Sequence, residues 1–532
     1  MANLMDTICS QPTELELETI NSTRRMAIEQ PLPRGLGSCV LIPSFLSANA
    51  CREIIAAAEV RGFSSAELDY PPSYRNNDRQ VLHDEQLAER LLSRLGEKLP
   101  GGIECLLPDD PATDWRPEGI NERFRLCRYQ PGQQFHIHQD GVHHRGAGCR
   151  SMLTFMIYLT DGDDFEGGDT LFFASGPQAG ESASNLVARI RPRAGSLILF
   201  DHDIWHAGEE VTRGVKYVLR SDLLFRHRQE ASRVAATASH HQGYIWTLLE
   251  LADGRVASGG RDSNIRVWHH GGEPSGVLVG HSQSVLGLVE VYPGLIASIS
   301  RDRTLRYWHL AEQRCIRSVT AHTAAVLSIA CTSQRTIATG GADHVINLWS
   351  EDGSLVRSLT GHDGWVWGLA NAGPGLLASA SEDGSVRIWD PPSGRCLTTW
   401  RSHCPLRTID TCQPRSADGP AYLAIGDTSG QITLLTADQS GIHVVAFFKA
   451  HDAAVRRVRF LRGGMVASCG EDNRLRLWRG QSAELVHEET FKNFVTDVIE
   501  LADGTRVSCS YDGSLRWAEM APSADRVIAS LA

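Results

Sequence analysis

Residues 129–140 read YQPGQQFHIHQD. Within this stretch His138 and Asp140 are separated by one residue. Along an extended strand, residues i and i+2 project from the same face, so the imidazole and the carboxylate point side by side into one cavity. Such a pair is two thirds of a 2-His-1-carboxylate triad, the donor set that holds a non-haem Fe(II) and leaves positions open for substrate and oxygen. His and Asp fall two apart by chance in many proteins, and the bland alternative is a surface turn. The surroundings decide.

Downstream, LILFDHDIWHAG at 197–208 carries His206 after the apolar run Leu197, Ile198, Leu199, Phe200, which makes His206 the candidate third ligand. Ten residues later Lys216 stands in VKYVLRSDLLF, a second strand-like run, where a cation can pair with a dicarboxylate held by a metal. Between the histidines lies RSMLTFMIYLTDGDDFEGGDTLFF, two apolar strands about the turn Gly167-Gly168. Short strands with turn signals and no long helical run predict a β-sandwich or jelly roll.

Residues 45–225 resemble the prolyl-4-hydroxylase-type branch of the Fe(II)/2-oxoglutarate dioxygenases. The resemblance rests on YQPGQQFHIHQD, on MIYLTDG with FEGGDTLFF, on PRAGSLILFDHDIWHAG, and on the spacing of His206 and Lys216. It implies a double-stranded β-helix (jelly roll) with N-terminal buttressing helices. It makes His138, Asp140 and His206 the iron ligands, with Lys216 and Tyr158 on the distal carboxylate of 2-oxoglutarate and Tyr129 lining the same pocket. It also brings Fe(II), 2-oxoglutarate as cosubstrate, O2, and ascorbate as an auxiliary reductant. The implied reaction is hydroxylation coupled to decarboxylation of 2-oxoglutarate to succinate and carbon dioxide, with a peptidyl proline as the family's target. Arg220, four residues past Lys216, would share its strand face as a weaker candidate, or be a sheet-edge or surface arginine.

Upstream, Ser47 or Asn49 is placed to cap an amphipathic helix over 50–59. A second helix over 85–99 repeats Leu87, Leu91, Leu92 and Leu95 at core spacing. The polar cluster Arg75, Asn76, Asn77, Asp78 and Arg79 is either a solvated loop or the rim of the site. In GVHHRGAGCR, His143 and His144, with His136 before them, read as loop histidines on a glycine-rich lid, and Arg150 as a substrate contact or a cap on the sheet.

After residue 228 the pattern changes. Five units repeat with a hydroxyl 17, an Asp 21 and a Trp 27 residues after a His. They are His241/Ser258/Asp262/Trp268, His281/Ser298/Asp302/Trp308, His322/Thr339/Asp343/Trp349, His362/Ser379/Asp383/Trp389 and His451/Ser468/Asp472/Trp478. Repetition at fixed offsets is the mark of a repeat architecture. These units resemble WD40 repeats, which implies that each set is a satisfied hydrogen-bond network within one four-stranded blade and that none of these histidines is a metal ligand. Two degenerate units bring the total to seven. One, 403–435, has Ser429 in the Asp position and Leu435 in the Trp position. The other has Phe491 for His, keeps Ser508 and Asp512, and carries Trp517 one place early.

The expected organisation is a mobile leader over 1–37, a dioxygenase domain over 38–228, a linker over 229–240 and a seven-bladed propeller over 241–532. Either Arg233 to Ala238 or Arg526 to Leu531 would supply the last outer strand, with the former favoured. Trp365 and Trp367 are either interface anchors or core residues, and Arg456 and Arg457 either read an acidic partner or belong to a solvated rim.

Fifty-two basic and 63 acidic residues leave a net charge of −11, which argues against nucleic acid as a partner. Thirteen scattered cysteines without a CxxC motif suit a reduced cytoplasmic setting. No secretory signal or membrane-length apolar run is read in the chain. The composite expectation is a hydroxylase whose propeller recruits a protein substrate or partner. The alternatives are a WD40 scaffold with a catalytically silent oxygenase domain, or a hydroxylase of a small molecule. Oligomeric state is left open.

Overall fold

The computed structural model describes residues 29–33, 36–66, 75–99, 115–143, 145, 149–176, 185–227, 241–332, 336–373, 375–412, 420–438 and 441–518. They divide into two compact units, one ending at residue 227 and the other starting at 241.

The N-terminal unit is built on strands β1 (Cys39–Ile42), β2 (Ser64–Ser65), β3 (Asp78–His83), β4 (Trp115–Ile120), β5 (Arg123–Tyr129), β6 (Phe135–His138) and β7 (Cys149–Tyr158). It continues with β8 (Glu166–Gly167), β9 (Thr170–Phe173), β10 (Leu186–Ile190), β11 (Leu197–Asp201), β12 (Trp205–Gly208), β13 (Val211–Arg213) and β14 (Lys216–His227). The large sheet has the order β1-β11-β7-β14-β5-β3-β2, with β4 also on β14, and the small sheet has the order β10-β9-β12-β6. From β5 onward the chain passes repeatedly between the two sheets, so residues near in sequence end on facing walls.

Strand alternation sorts the large sheet into two faces. Phe124, Leu126, Phe155, Ile157, Leu199 and Leu219 point outward. They pack under helices α1 (Ala48–Arg61) and α2 (Glu85–Lys98). The intervening residues Cys127, Tyr129, Tyr158, Phe200 and Val218 face the small sheet. The helices form where their caps allow. Ser47 accepts the Ala50 N–H at 3.1 Å, and Asp84 accepts the Leu87 N–H at 2.9 Å. Buried Leu87, Leu91 and Leu95 form one stripe of α2, as their spacing predicts, while Leu92 is only partly covered. Gly167 and Gly168 turn the chain at φ of 70° and 71°; a Cβ on Gly167 would lie 2.1 Å from the Glu210 carbonyl oxygen.

Among the described residues the second unit contains six four-stranded sheets and one three-stranded sheet, seven in all. Each four-stranded sheet is a simple meander. The first inner strand, Ile245–Glu250, meets the last, Val495–Glu500. Thr496 Oγ1 donates to the Ile245 carbonyl at 2.6 Å, and the Leu248 N–H donates to Asp497 Oδ2 at 3.0 Å. Both segments proposed as the closing outer strand lie outside the described residues, and the last sheet accordingly shows three strands.

The repeated polar sets form the network that their spacing implies. In all five, the His Nδ1 meets its Asp carboxylate at 2.8–2.9 Å. Nε2 meets the Ser or Thr hydroxyl at 2.7–2.8 Å. The Trp indole N–H donates to that same hydroxyl at 2.7–2.9 Å. In the degenerate fifth sheet Leu435 pairs with Leu423, as Trp268 pairs with Val256, so Ile425 fills the hydroxyl position. Buried Ile425 and Leu435 stand there in place of the hydroxyl and the indole, an apolar pair that needs no hydrogen bond. In the seventh sheet Trp517 pairs with Val507, one place short of the regular register, and a one-residue shift turns it to the other face. It lies 5.9 Å from the His270 ring.

The rim candidates are tied down. Trp365 is buried with Ala325, Leu327 and Ala342. The half-buried Trp367 donates to Glu382 at 2.6 Å. Arg456 pairs with Glu471 at 2.7 Å and Arg457 with Asp497 at 3.3 Å.

Ser379→Ala removes the group that joins His362 to Trp389, and it should lower the urea midpoint of the propeller by the equivalent of about 1–3 kcal/mol. Exposed Ser282→Ala should shift it by less than about 0.5 kcal/mol. Equal effects would contradict a stabilising network. Burial alone would raise the pKa of each network Asp, but the His hydrogen bond and charge, together with backbone N–H donors, hold all five below the ordinary value. Their contribution is therefore complete above about pH 4 and is lost as pH falls through the lowered values. Asp302→Asn should be less stable at pH 7 and show a shallower acid-side loss; an unchanged slope would contradict the assignment.

Candidate active site

The site lies between the two sheets, where β6 and β12 of the small sheet run antiparallel. His138 on β6 and His206 on β12 are direct cross-strand partners, with ring centroids 4.2 Å apart. The structure differs here from the sequence expectation. The apolar run before His206 is β11 in the large sheet, and a turn over 202–204 delivers His206 onto a separate strand of the opposite sheet. Asp140 lies two residues past β6, where its N–H donates to the His202 carbonyl at 3.0 Å.

One donor atom from each of His138, Asp140 and His206 lies within 4.8 Å of the others, and all three residues are buried. His138 Nε2 is 3.5 Å from Asp140 Oδ1, and His206 Nε2 is 3.4 Å from Asp140 Oδ2. The other ring nitrogens are engaged. His138 Nδ1 meets the His136 carbonyl at 2.7 Å, and His206 Nδ1 meets the Ile204 carbonyl at 2.9 Å. A carbonyl only accepts, so each Nδ1 carries the proton and each Nε2 keeps its lone pair toward the carboxylate. Such outer contacts orient metal-binding imidazoles. Burial also keeps the rings neutral, with His206 pushed down to about 3 by burial and by His138. Phe135 stacks on His138 at 3.6 Å and Phe200 meets His206 edge-on at 4.7 Å, which leaves the rings little room to turn.

Two further groups hold the carboxylate. Thr154 Oγ1 donates to Asp140 Oδ2, and Arg220 Nη2 pairs with Asp140 Oδ1. Burial alone would raise the Asp140 pKa, but Arg220 and both histidines take it well below the usual range. Neutral imidazoles, an ionised carboxylate and oriented lone pairs suit a divalent transition metal such as Fe(II).

A cavity of about 40 Å³ runs from the histidines along β14. Lys216, 4% exposed, lines it and donates from Nζ to the Gly168 carbonyl at 2.6 Å. The ammonium is 5.5 Å from the Tyr129 ring and 5.8 Å from the Tyr158 ring. Burial pulls its pKa down to about 8, against the opposing pull of Asp169. Tyr158 donates its hydroxyl to Thr170 Oγ1 at 2.8 Å. Lys216 pairs in register with Tyr129, and Val218 with Tyr158, so neighbouring strands bring the three anion-pocket candidates together.

Arg220 is neither a surface nor a sheet-edge residue; its side chain is 14% exposed and lines this cavity. The cluster at 75–79 is no solvated loop. Arg75 is 5% exposed, lines the cavity and covers the Phe135 ring at 4.3 Å, with Asn77 accepting from its Nε at 2.9 Å. Arg125, opposite Arg220 on β5, pairs with Asp222 at 3.6 Å. Sequence reasoning passed over Thr154 and Arg125; the usable signal was strand parity, since each shares the inner face with Tyr158 or Tyr129. His136 and His143 stand outside the donor set, and His144 lies outside the described residues. Arg150 covers the Trp115 ring at 4.5 Å.

Comparison with known proteins agrees with both halves. The 2OG-Fe(II) oxygenase superfamily signature matches residues 124–221, which include every candidate named in the donor set and the anion pocket. The WD domain, G-beta repeat matches 233–269, 313–350, 353–390 and 442–479. Curated relatives include the nuclear distribution protein nudF of Aspergillus terreus, 34% identical over 162 residues, 29% of this chain and 32% of the relative. Cell division control protein 4 of Saccharomyces cerevisiae is 26% identical over 180 residues, 30% of this chain and 23% of the relative. Protein SPA1-RELATED 3 of Arabidopsis thaliana is 27% identical over 162 residues, 30% of this chain and 19% of the relative. The chain thus spans a third or less of the length of these relatives. With the two signatures in adjoining stretches, a domain of the 2OG-Fe(II) oxygenase superfamily and WD40 repeats are joined in this one chain.

Proposed function

We propose that the chain is an iron- and 2-oxoglutarate-dependent hydroxylase of a peptidyl residue, proline by resemblance, whose WD40 unit recruits the protein carrying it. One observation supports this above the rest: the His138/Asp140/His206 donor set is buried, and its two histidines line the same cavity as a buried lysine. A scaffold has no need to bury an ammonium, whose removal from water is costly.

In this reading His138, Asp140 and His206 hold Fe(II), and Lys216 takes the distal carboxylate of 2-oxoglutarate. Iron, when bound, supplies oxidation of a C–H bond by O2 coupled to decarboxylation of 2-oxoglutarate to succinate, with ascorbate as an auxiliary reductant. The chain's own part is placement. The carbonyls of His136 and Ile204 hold the imidazole protons away from the metal side. Phe135, Phe172 and Phe200 keep the histidine wall apolar and exclude water. Tyr129 and Tyr158 flank Lys216 and limit where a dicarboxylate can lie. The WD40 repeats supply a platform for a protein partner.

The test is succinate release from 2-oxoglutarate after anaerobic loading with Fe(II) and admission of air. Wild type should release succinate, and His138→Ala should fall to the no-enzyme background; release by both, or by neither with metal bound, would contradict the proposal. Lys216→Ala should raise the 2-oxoglutarate requirement at least about tenfold, since a buried carboxylate without its cation loses more than about 1.4 kcal/mol. An unchanged saturation curve would remove Lys216 from the pocket.

A further inference from the structure

Two oxygens of Asp140 have two different polar partners. Oδ2 accepts from the Thr154 hydroxyl, and Oδ1 meets the Arg220 guanidinium. The carboxylate, both histidines and Arg220 are all at most 14% exposed, so water screens these charges weakly. The guanidinium is thus the counter-ion of the candidate metal ligand. Its strand neighbours narrow its choices. Across β14, Arg220 stands opposite Met156 on one side and Arg125 on the other. Met156 is uncharged, and Arg125 is a cation already beside Asp222 at 3.6 Å.

A divalent metal on Asp140 would set two cationic groups on one carboxylate. At low screening that is unfavourable unless an anion arrives to face both. The cavity that Arg220 lines leads directly to Lys216, the candidate anchor for the far end of a dicarboxylate.

We propose that Arg220 is a positioning residue that couples metal binding to carboxylate binding: it holds Asp140 while the site is empty of metal and turns to the metal-side carboxylate of the cosubstrate when metal binds. The inference rests on the metal-site reading above and deepens it. Its consequence is a linkage. Arg220 lowers the affinity for metal alone and raises the gain in metal affinity that the carboxylate brings, and linkage makes the effect reciprocal. Asp140 without its guanidinium would be a buried charge lacking a counter-ion, and metal would then supply the missing positive charge.

The test is Mn(II) binding, followed by its electron paramagnetic resonance signal, with and without N-oxalylglycine, an unreactive analogue of 2-oxoglutarate. Without the analogue, Arg220→Gln should bind Mn(II) about tenfold more tightly than wild type, and the gain on adding the analogue should shrink by about the same factor. Arg220→Lys, which keeps the charge, should stay within about threefold of wild type on both measures. A merely structural role would weaken Mn(II) binding or leave it unchanged, and either result overturns the inference. Wild type supplies a readout free of any folding defect: formate, which cannot chelate, should raise Mn(II) affinity, and acetamide should not. No effect of formate also overturns it. Absence of Mn(II) binding in wild type would overturn the metal site itself, whereas equal binding in wild type and Arg220→Gln would overturn only the coupling.

Discussion

A carboxylate buried at Asp140 must be answered by positive charge or by metal. Everything around it follows from that need. Two strands place imidazole lone pairs on it, a threonine on β7 supplies a hydroxyl and an arginine on β14 supplies a cation. Each comes from a different strand, so the carboxylate keeps its partners only if both sheets hold their register. The outward faces of those strands secure the register by packing under α1 and α2. The inner face is thereby free to carry Arg125, Thr154, Tyr158, Lys216 and Arg220, residues that a core would otherwise reject.

The two units use histidine and aspartate in opposite ways. In the WD40 unit each of the five network histidines gives Nδ1 to a carboxylate and Nε2 to a hydroxyl, and the hydroxyl is in turn filled by a tryptophan. Nothing is left to bind. In the oxygenase unit the Nδ1 atoms are taken by main-chain carbonyls, and both Nε2 atoms converge on one carboxylate. The same residue types build a structural network in one place and a donor set in the other. The second nitrogen of each ring makes the difference.

Much of this was legible in the sequence because its signals are local. HxD, the Gly-Gly turn and the ten-residue step from His206 to Lys216 each fall within a short stretch; His138, His206, Lys216 and Tyr129 line one cavity, Asp140 meets both histidines, and Tyr158 flanks Lys216. The repeat offsets were equally local, and all five networks appear at hydrogen-bond distance. What escaped depends on pairing between distant strands. Arg220 gains its meaning from Asp140, eighty positions away, and Thr154 from the same carboxylate across the gap between sheets. Arg75 stayed open between a solvated loop and the rim of the site, because a run of polar residues suits both; a bridge to Phe135 and a neighbour in Asn77 bury it. Trp365 and Trp367 stayed open between interface and core; the first is core and the second is held by Glu382.

The most direct measurement is a crystal structure of the full chain grown anaerobically with Mn(II) and N-oxalylglycine, with the metal located by its anomalous scattering. The account predicts a single strong peak bonded to His138, Asp140 and His206, with the analogue spanning from the metal to Lys216. A peak elsewhere, or none at these three residues in crystals that contain the analogue, would contradict it.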